Sequence, residues 1–259
     1  MNESPDLLMH AALEVAELAG ATAMRFYRTG LAVEWKADGS PVTAADRAAE
    51  DAARQWIRKR FPGDGILGEE FGVEEGSTGR RWILDPIDGT KSFVRGVPLW
   101  GSLVALVDGD DVIAGAASFA PIGESIAAAP GCGAWCNGAR ALVSAVSTLD
   151  AATVLITDDR TPGPPMAHTG WRLLHERAAV SRTWGDCFGY LMVATGRAEV
   201  MIDLTLNDWD AACFQPIITE AGGLFTNLDG APTAFGGNAV ATNMALAAEV
   251  RHILRGEPV

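Results

Sequence analysis

The sequence predicts an α+β protein on three observations. Leu7, Leu8, Ala11, Ala12, Val15, Leu18, Ala19 and Thr22 recur at three- and four-residue spacing, the stripe of an amphipathic helix over 5–26. Two apolar runs, 102–107 and 112–119, are joined by Asp108-Gly109-Asp110-Asp111, a hairpin signal. Beyond about residue 145, short strand patterns alternate with helical ones. No linker composition separates these halves, so the 259 residues are expected to form one domain, an α+β half over about 1–145 joined to an α/β half over about 146–259.

Each element has a local reason. After the first helix, 31–43 alternates weakly around Lys36-Ala37-Asp38-Gly39-Ser40-Pro41 and reads as a hairpin or strand pair. Thr43 is placed to cap a second helix over 44–60 with Asp46 in its first turn, where a carboxylate also meets the helix dipole. Phe61-Pro62-Gly63-Asp64-Gly65 closes that helix, and a short strand at 66–68 runs into Glu69-Glu70. Adjacent glutamates at a strand end point opposite ways, so one is expected to face a site. The polar, glycine-rich stretch 74–79 reads as a mobile loop. Strands are expected at 124–129 and 133–137, with a turn at Asn137-Gly138, and again at 153–156, 180–183, 200–204 and 239–242. Proline-rich 162–169 reads as loop, and helices follow at 170–178, from Gly185-Asp186 to 195, at 211–221 and at 244–255, Gly222-Gly223 ending the third of these.

The chemistry concentrates in Trp82-Ile83-Leu84-Asp85-Pro86-Ile87-Asp88-Gly89-Thr90-Lys91-Ser92-Phe93. An apolar run suited to a buried strand ends abruptly in two carboxylates, a glycine and a hydroxyl. Pro86 fixes one torsion between the aspartates, so Asp85, Asp88 and the Ile87 carbonyl can converge, and such hard oxygens suit Mg²⁺ or Mn²⁺. Gly89 permits close approach to a ligand, and amides at a helix start there would bind phosphate. Asp210 could cap its helix or add a further carboxylate, and Asp203 stands in an otherwise apolar strand where it needs partners.

Composition narrows the class. With 33 acidic against 20 basic residues the net charge is −13, which argues against nucleic acid or an anionic membrane as partner. The start Met1-Asn2-Glu3-Ser4-Pro5-Asp6 lacks the basic region of a signal peptide and no uninterrupted apolar stretch is long enough to span a bilayer, so a cytoplasmic protein is expected. Cys132, Cys136, Cys187 and Cys213 make a poor zinc site and read as reduced thiols, while His10, His168, His175 and His252 lie outside the acidic motifs. Carboxylates and metal are left to carry the reaction.

Taken together, Gly68-Glu69-Glu70, Asp85-Pro86-Ile87-Asp88-Gly89-Thr90, and Trp209-Asp210 followed by Glu220-Ala221-Gly222-Gly223 resemble the inositol monophosphatase family, in order and over nearly the whole chain. The resemblance implies a layered αβαβα sandwich like that of fructose-1,6-bisphosphatase, a Mg²⁺-dependent phosphomonoesterase inhibited by Li⁺, and a homodimer acting on a small phosphorylated metabolite. It implies that Glu70, Asp85 and the Ile87 carbonyl hold one ion, that Asp85, Asp88 and Asp210 hold a second, and that Thr90 and Asp46 orient the attacking water. Glu70 would also be linked to that water and to a third ion, and the amides of Gly89 and Thr90 would cradle phosphate. The flanks Gly89 to Pro98, Trp184 to Cys187 and Met201 to Asn207 resemble bacterial histidinol-phosphate phosphatases, which implies that Asp186 and Asp203 receive a cationic leaving group. An inositol-1-phosphatase is the alternative, then phosphatases of fructose bisphosphate or 3′-phosphoadenosine nucleotides, for whose pockets no basic cluster is evident. A non-catalytic metal- or phosphate-binding relative would be expected to have lost at least one of Asp46, Glu70, Asp85, Asp88, Thr90 and Asp210, and all are present.

Overall fold

A computed structural model of the chain describes residues 3–30, 32–35, 41–160 and 163–256. In chain order the N-terminal half runs α1 (Pro5–Met24), β1 (Glu34–Trp35), β2 (Pro41–Val42), α2 (Ala44–Arg60), β3 (Gly65–Gly68), β4 (Gly72–Glu74), β5 (Arg80–Asp88), α3 (Thr90–Phe93), β6 (Gly101–Asp108), β7 (Asp111–Phe119), β8 (Glu124–Ala129), β9 (Gly133–Cys136) and β10 (Ala139–Arg140). The C-terminal half continues with β11 (Thr153–Ile156), α4 (Pro165–Arg177), β12 (Val180–Arg182), α5 (Cys187–Ala194), β13 (Val200–Asp203), α6 (Asp208–Ala211), α7 (Phe214–Glu220), β14 (Gly223–Thr226), β15 (Ala239–Asn243) and α8 (Ala247–Leu254). Of the stretch read as a hairpin, residues 31 and 36–40 lie outside the described residues, and the rest pairs β1 with β2 antiparallel.

The elements stack in five layers. On the outside, α1 and α2 bury Leu8, Ala12, Val15, Ala53 and Ile57 against Trp82, Leu84, Val104 and Leu106 of an eight-stranded sheet ordered β10-β9-β8-β7-β6-β5-β3-β4. The 20-residue α1 is long and apolar enough to cross a membrane, but its apolar face is spent on this sheet. The sheet's other face packs through Leu103, Ala105, Phe119 and Ile126 on α5 and α7, whose far side covers Leu155, Met201 and Ala241 of the five-stranded sheet β12-β11-β13-β15-β14. Helices α4 and α8 close that sheet with Trp171, Leu174, Val250 and Ile253. The fold is therefore the expected α+β layered sandwich.

Several local expectations need correction. Residues 74–79 are not a loose loop: Glu74 belongs to β4 and is gripped by Arg58 at 2.6 Å, Ser77 N donates to Gly63 O at 2.7 Å, and Thr78 Oγ1 donates to Asp64 at 2.7 Å. Helix α4 begins at Pro165 because proline is tolerated in a first helical turn, so the prolines that suggested a loop instead open the helix. The helix expected over 211–221 is two, α6 and α7. The strand after Gly222 was not foreseen, and its pairing with β15 supplies the hydrogen bonds that its four residues alone do not signal.

Candidate active site

Strand β5 delivers the central carboxylates through a bulge. Asp85 pairs with Leu103 and Asp88 with Gly101, so three steps on β5 answer two on β6. Pro86, lacking an N–H, sits inside the bulge, where the strand ladder can spare a donor. The bend is fixed from both sides. Ser102 Oγ donates to the Pro86 carbonyl at 2.6 Å, and Ile87 N donates to Asp85 Oδ1 at 3.0 Å. The Cys187 amide, opening α5, donates to Asp88 Oδ2 at 2.5 Å and orients that side chain from the opposite layer.

Asp210 comes in from α6. Its Oδ2 accepts the Asn207 amide at 2.9 Å, completing a capping box, and one of its oxygens joins those of Asp85 and Asp88 with all three within 4.8 Å of one another. The two roles weighed for it in the sequence, cap and further carboxylate, coexist. Burial and the neighbouring negative charges push Asp85 and Asp88 well above the ordinary carboxylate range, and burial raises Asp210 to about 6. Three carboxylate oxygens, Asp85's buried and those of Asp88 and Asp210 half-buried, so close and so mutually repelled suit a divalent cation bound by hard oxygens, which is the fit the donor set requires.

The acidic pair after β3 divides. Glu69 N donates to Leu84 O at 3.2 Å, so this residue prolongs the strand beside β5, and its charge bears on Asp85, Asp46 and Asp210. Glu70 lies one position on, with the opposite sense, and its charge bears on Arg47 at the surface. Glu69 therefore stands beside the Glu70 that the resemblance implies as a further candidate for the acidic centre. Glu50 on α2 fixes the turn: wholly buried and paired with Arg54 at 2.8 Å, it accepts the amides of Glu70 at 2.8 Å and Phe71 at 3.2 Å. Sequence reading missed Glu50 and Arg54, although 46, 50 and 54 fall at four-residue spacing on the buried face of α2.

Asp46 closes the first turn of α2. Its Oδ2 accepts Thr43 N at 2.7 Å and Thr43 Oγ1 at 2.6 Å in a capping box, and burial raises its pKa. The Thr90 hydroxyl donates to the Ile87 carbonyl at 3.0 Å, so among the described residues no bond joins the expected pair of Thr90 and Asp46. Gly89 has φ 87°, and a Cβ there would stand 2.8 Å from Leu99 O and 3.3 Å from Asp186 Oδ2. The first backbone bond of α3 runs from Ser92 N to Gly89 O, so the amides of Gly89 and Thr90 precede it.

Asp186 and Asp203 share with Asp88, Asp210, Thr157, Tyr190, Thr205 and Leu206 a cavity of about 120 Å³. Asp186 makes no capping bond to α5, which removes the ordinary reading of it as a helix cap. Burial raises it to about 6, with Lys91 pulling the other way. Asp203 is 4 % exposed at the end of β13, accepts Tyr190 OH at 2.8 Å, and is raised by burial to about 8. Both carboxylates line one cavity with Asp88 and Asp210. Thr157 and Tyr190 carry no recognisable motif and were not foreseen.

Comparison with known proteins agrees with this geometry. The profile of the inositol monophosphatase family matches residues 5–255. A protein of Chlorobaculum parvum named histidinol-phosphatase is 45% identical over 222 residues, 85% of each chain, and one of Mycobacterium tuberculosis with the same name is 39% identical over 95% of this chain and 96% of its own. The crystal structure of the extragenic suppressor protein suhB from Bartonella henselae superposes with TM-score 0.90 at 28% identity, over 96% of this chain and 98% of that one. Fold, acidic centre and sequence profile agree that the chain belongs to the inositol monophosphatase family and is a phosphatase.

Proposed function

We propose that this phosphatase hydrolyses histidinol phosphate to histidinol and phosphate with the aid of Mg²⁺. The observation that carries the substrate is the cavity in which Asp186 and Asp203 stand beside Asp88 and Asp210, an acidic recess suited to a leaving group bearing an amine and an imidazole. The relatives named histidinol-phosphatase at 39–45% identity support it.

Asp85, Asp88 and Asp210, with Glu69 and the Ile87 carbonyl, would hold two or three Mg²⁺ ions, Mn²⁺ also suiting the site and Li⁺ being inhibitory. When bound, such ions neutralise phosphoryl oxygens and acidify water. The chain's own groups do the rest. The amides of Gly89 and Thr90 receive the phosphate, and the Thr90 hydroxyl, held at the Ile87 carbonyl, orients the incoming water. Glu69, whose charge bears on Asp46, would accept that water's proton. Asp186 and Asp203 receive the departing histidinol. No side chain need become covalently phosphorylated. A homodimeric, cytoplasmic enzyme is the assembly and location this reading carries.

The test compares kcat/KM for histidinol phosphate, inositol 1-phosphate and 3′-phosphoadenosine 5′-phosphate at saturating Mg²⁺. Histidinol phosphate should lead. A clear lead for inositol 1-phosphate would replace this reading with the alternative, since its hydroxyls can also donate to the two carboxylates.

A further inference from the structure

We propose that Thr157 is a positioning residue that holds Asp186 in the cavity it shares with Asp203 and thereby sets specificity for the leaving group. Thr157 follows β11 directly, at the end of the five-stranded sheet that faces the cavity. Its Oγ1 accepts the Asp186 amide at 2.8 Å, and it lines the same cavity as Asp186 and Asp203.

The backbone it holds is one a free chain would leave. Asp186 has φ 48° and ψ −154°, a region costly for a residue with a side chain, and no cap bond from its own carboxylate compensates. The surroundings over-determine it. A Cβ on Gly185 would lie 2.1 Å from the Thr157 Cα, so the chain lies flat on the end of β11, and the next amide, of Cys187, is held by Asp88. In that pose Asp186 Oδ2 is brought against Gly89, at the loop expected to receive phosphate. Thr157 therefore sets the distance between the phosphate loop and the groups that meet the leaving group, without itself touching the reacting atoms.

The inference rests on reading Asp186 and Asp203 as the leaving-group side, and the experiment separates the two. Thr157→Val keeps the shape and removes the hydroxyl, while Thr157→Ser keeps the hydroxyl. With histidinol phosphate, Thr157→Val should raise KM and lower kcat/KM by roughly tenfold, with a smaller loss on p-nitrophenyl phosphate. Thr157→Ser should recover most of the difference. Mg²⁺ affinity by calorimetry should stay within about threefold of wild type in both variants. Equal losses on both esters, or a serine variant as impaired as the valine one, would overturn the positioning role. A wild type that prefers inositol 1-phosphate would overturn the histidinol reading alone, and the valine-to-serine contrast would then be read on that ester. Should the valine variant fold poorly, the serine variant still decides through its selectivity between the two esters: wild-type selectivity supports the role, and lost selectivity sinks it.

Discussion

Two groups of carboxylates meet in one cavity, and their surroundings differ. Asp85, Asp88 and Asp210 point their oxygens at one another, and the charges that press most on Asp85 are those of Glu69, Asp88 and Asp210. Asp203, by contrast, accepts the Tyr190 hydroxyl at 2.8 Å and owes its raised pKa first to burial. The first group is a repulsive set that protons or bound cations relieve. In the second, Asp203 has a hydroxyl partner in the protein and can hold a proton until a cationic ligand displaces it. The same residue type thus serves two chemistries, according to what the fold places opposite it.

The comparison is broken most severely at its centre. Asp85→Asn should lower kcat by roughly a thousandfold, about 4 kcal/mol, while preserving or raising the melting temperature of the metal-free protein, because it removes one charge from a repelling set. Near-wild-type turnover at saturating Mg²⁺ would mean the three aspartates are not the metal centre. Next comes the choice between neighbouring glutamates. Glu69→Gln should weaken activity and Mg²⁺ affinity by roughly a hundredfold and Glu70→Gln by less than about threefold, measured by titrating Mg²⁺ against turnover. The reverse order would give that place to Glu70.

On the satisfied side the expected effect is smaller. Asp203→Asn should reduce kcat/KM for histidinol phosphate by roughly tenfold and for p-nitrophenyl phosphate far less. With its pKa raised to about 8, Asp203 is largely protonated at neutral pH in the metal-free protein, and asparagine mimics that form; the loss arises when a cationic leaving group draws the proton off. Equal losses on both esters would assign Asp203 to support of the metal side.

The mildest test compares both groups through pH. The folded carboxylates of Asp186 and Asp210 at about 6 and of Asp203 at about 8 hold protons that the unfolded chain releases near 4. The native state then binds more protons, so the stability of the metal-free protein falls as pH rises from about 4 through about 8. Bound cations favour the ionised forms. The rise in melting temperature on adding Mg²⁺ to chelator-treated protein should therefore grow from pH 5 to pH 8, and a Mg²⁺ effect that shrinks over that range would contradict the electrostatic picture.

The motif of Asp85, Pro86, Ile87, Asp88 and Gly89 was legible in the sequence because its residues are contiguous and each constrains the next: strand, fixed torsion, open backbone, helix start. Periodicity likewise marked α1 and α2, since an amphipathic stripe is a local property. Which of Glu69 and Glu70 is offered to the centre turns on one step of strand alternation, which the pairing of β3 with β5 and Glu50 beneath the turn constrain. Strand β14 and the partners of Asp203 were beyond local reading for the same reason. A pairing between β14 and β15, or a bond from Tyr190 on α5 to Asp203 on β13, exists only once distant segments are packed. The sequence by itself marked the candidate groups for metal and phosphate. Tertiary structure decided which carboxylates face one another and which face a hydroxyl, because charge repulsion and hydrogen bonding depend on distances that only the packed layers fix.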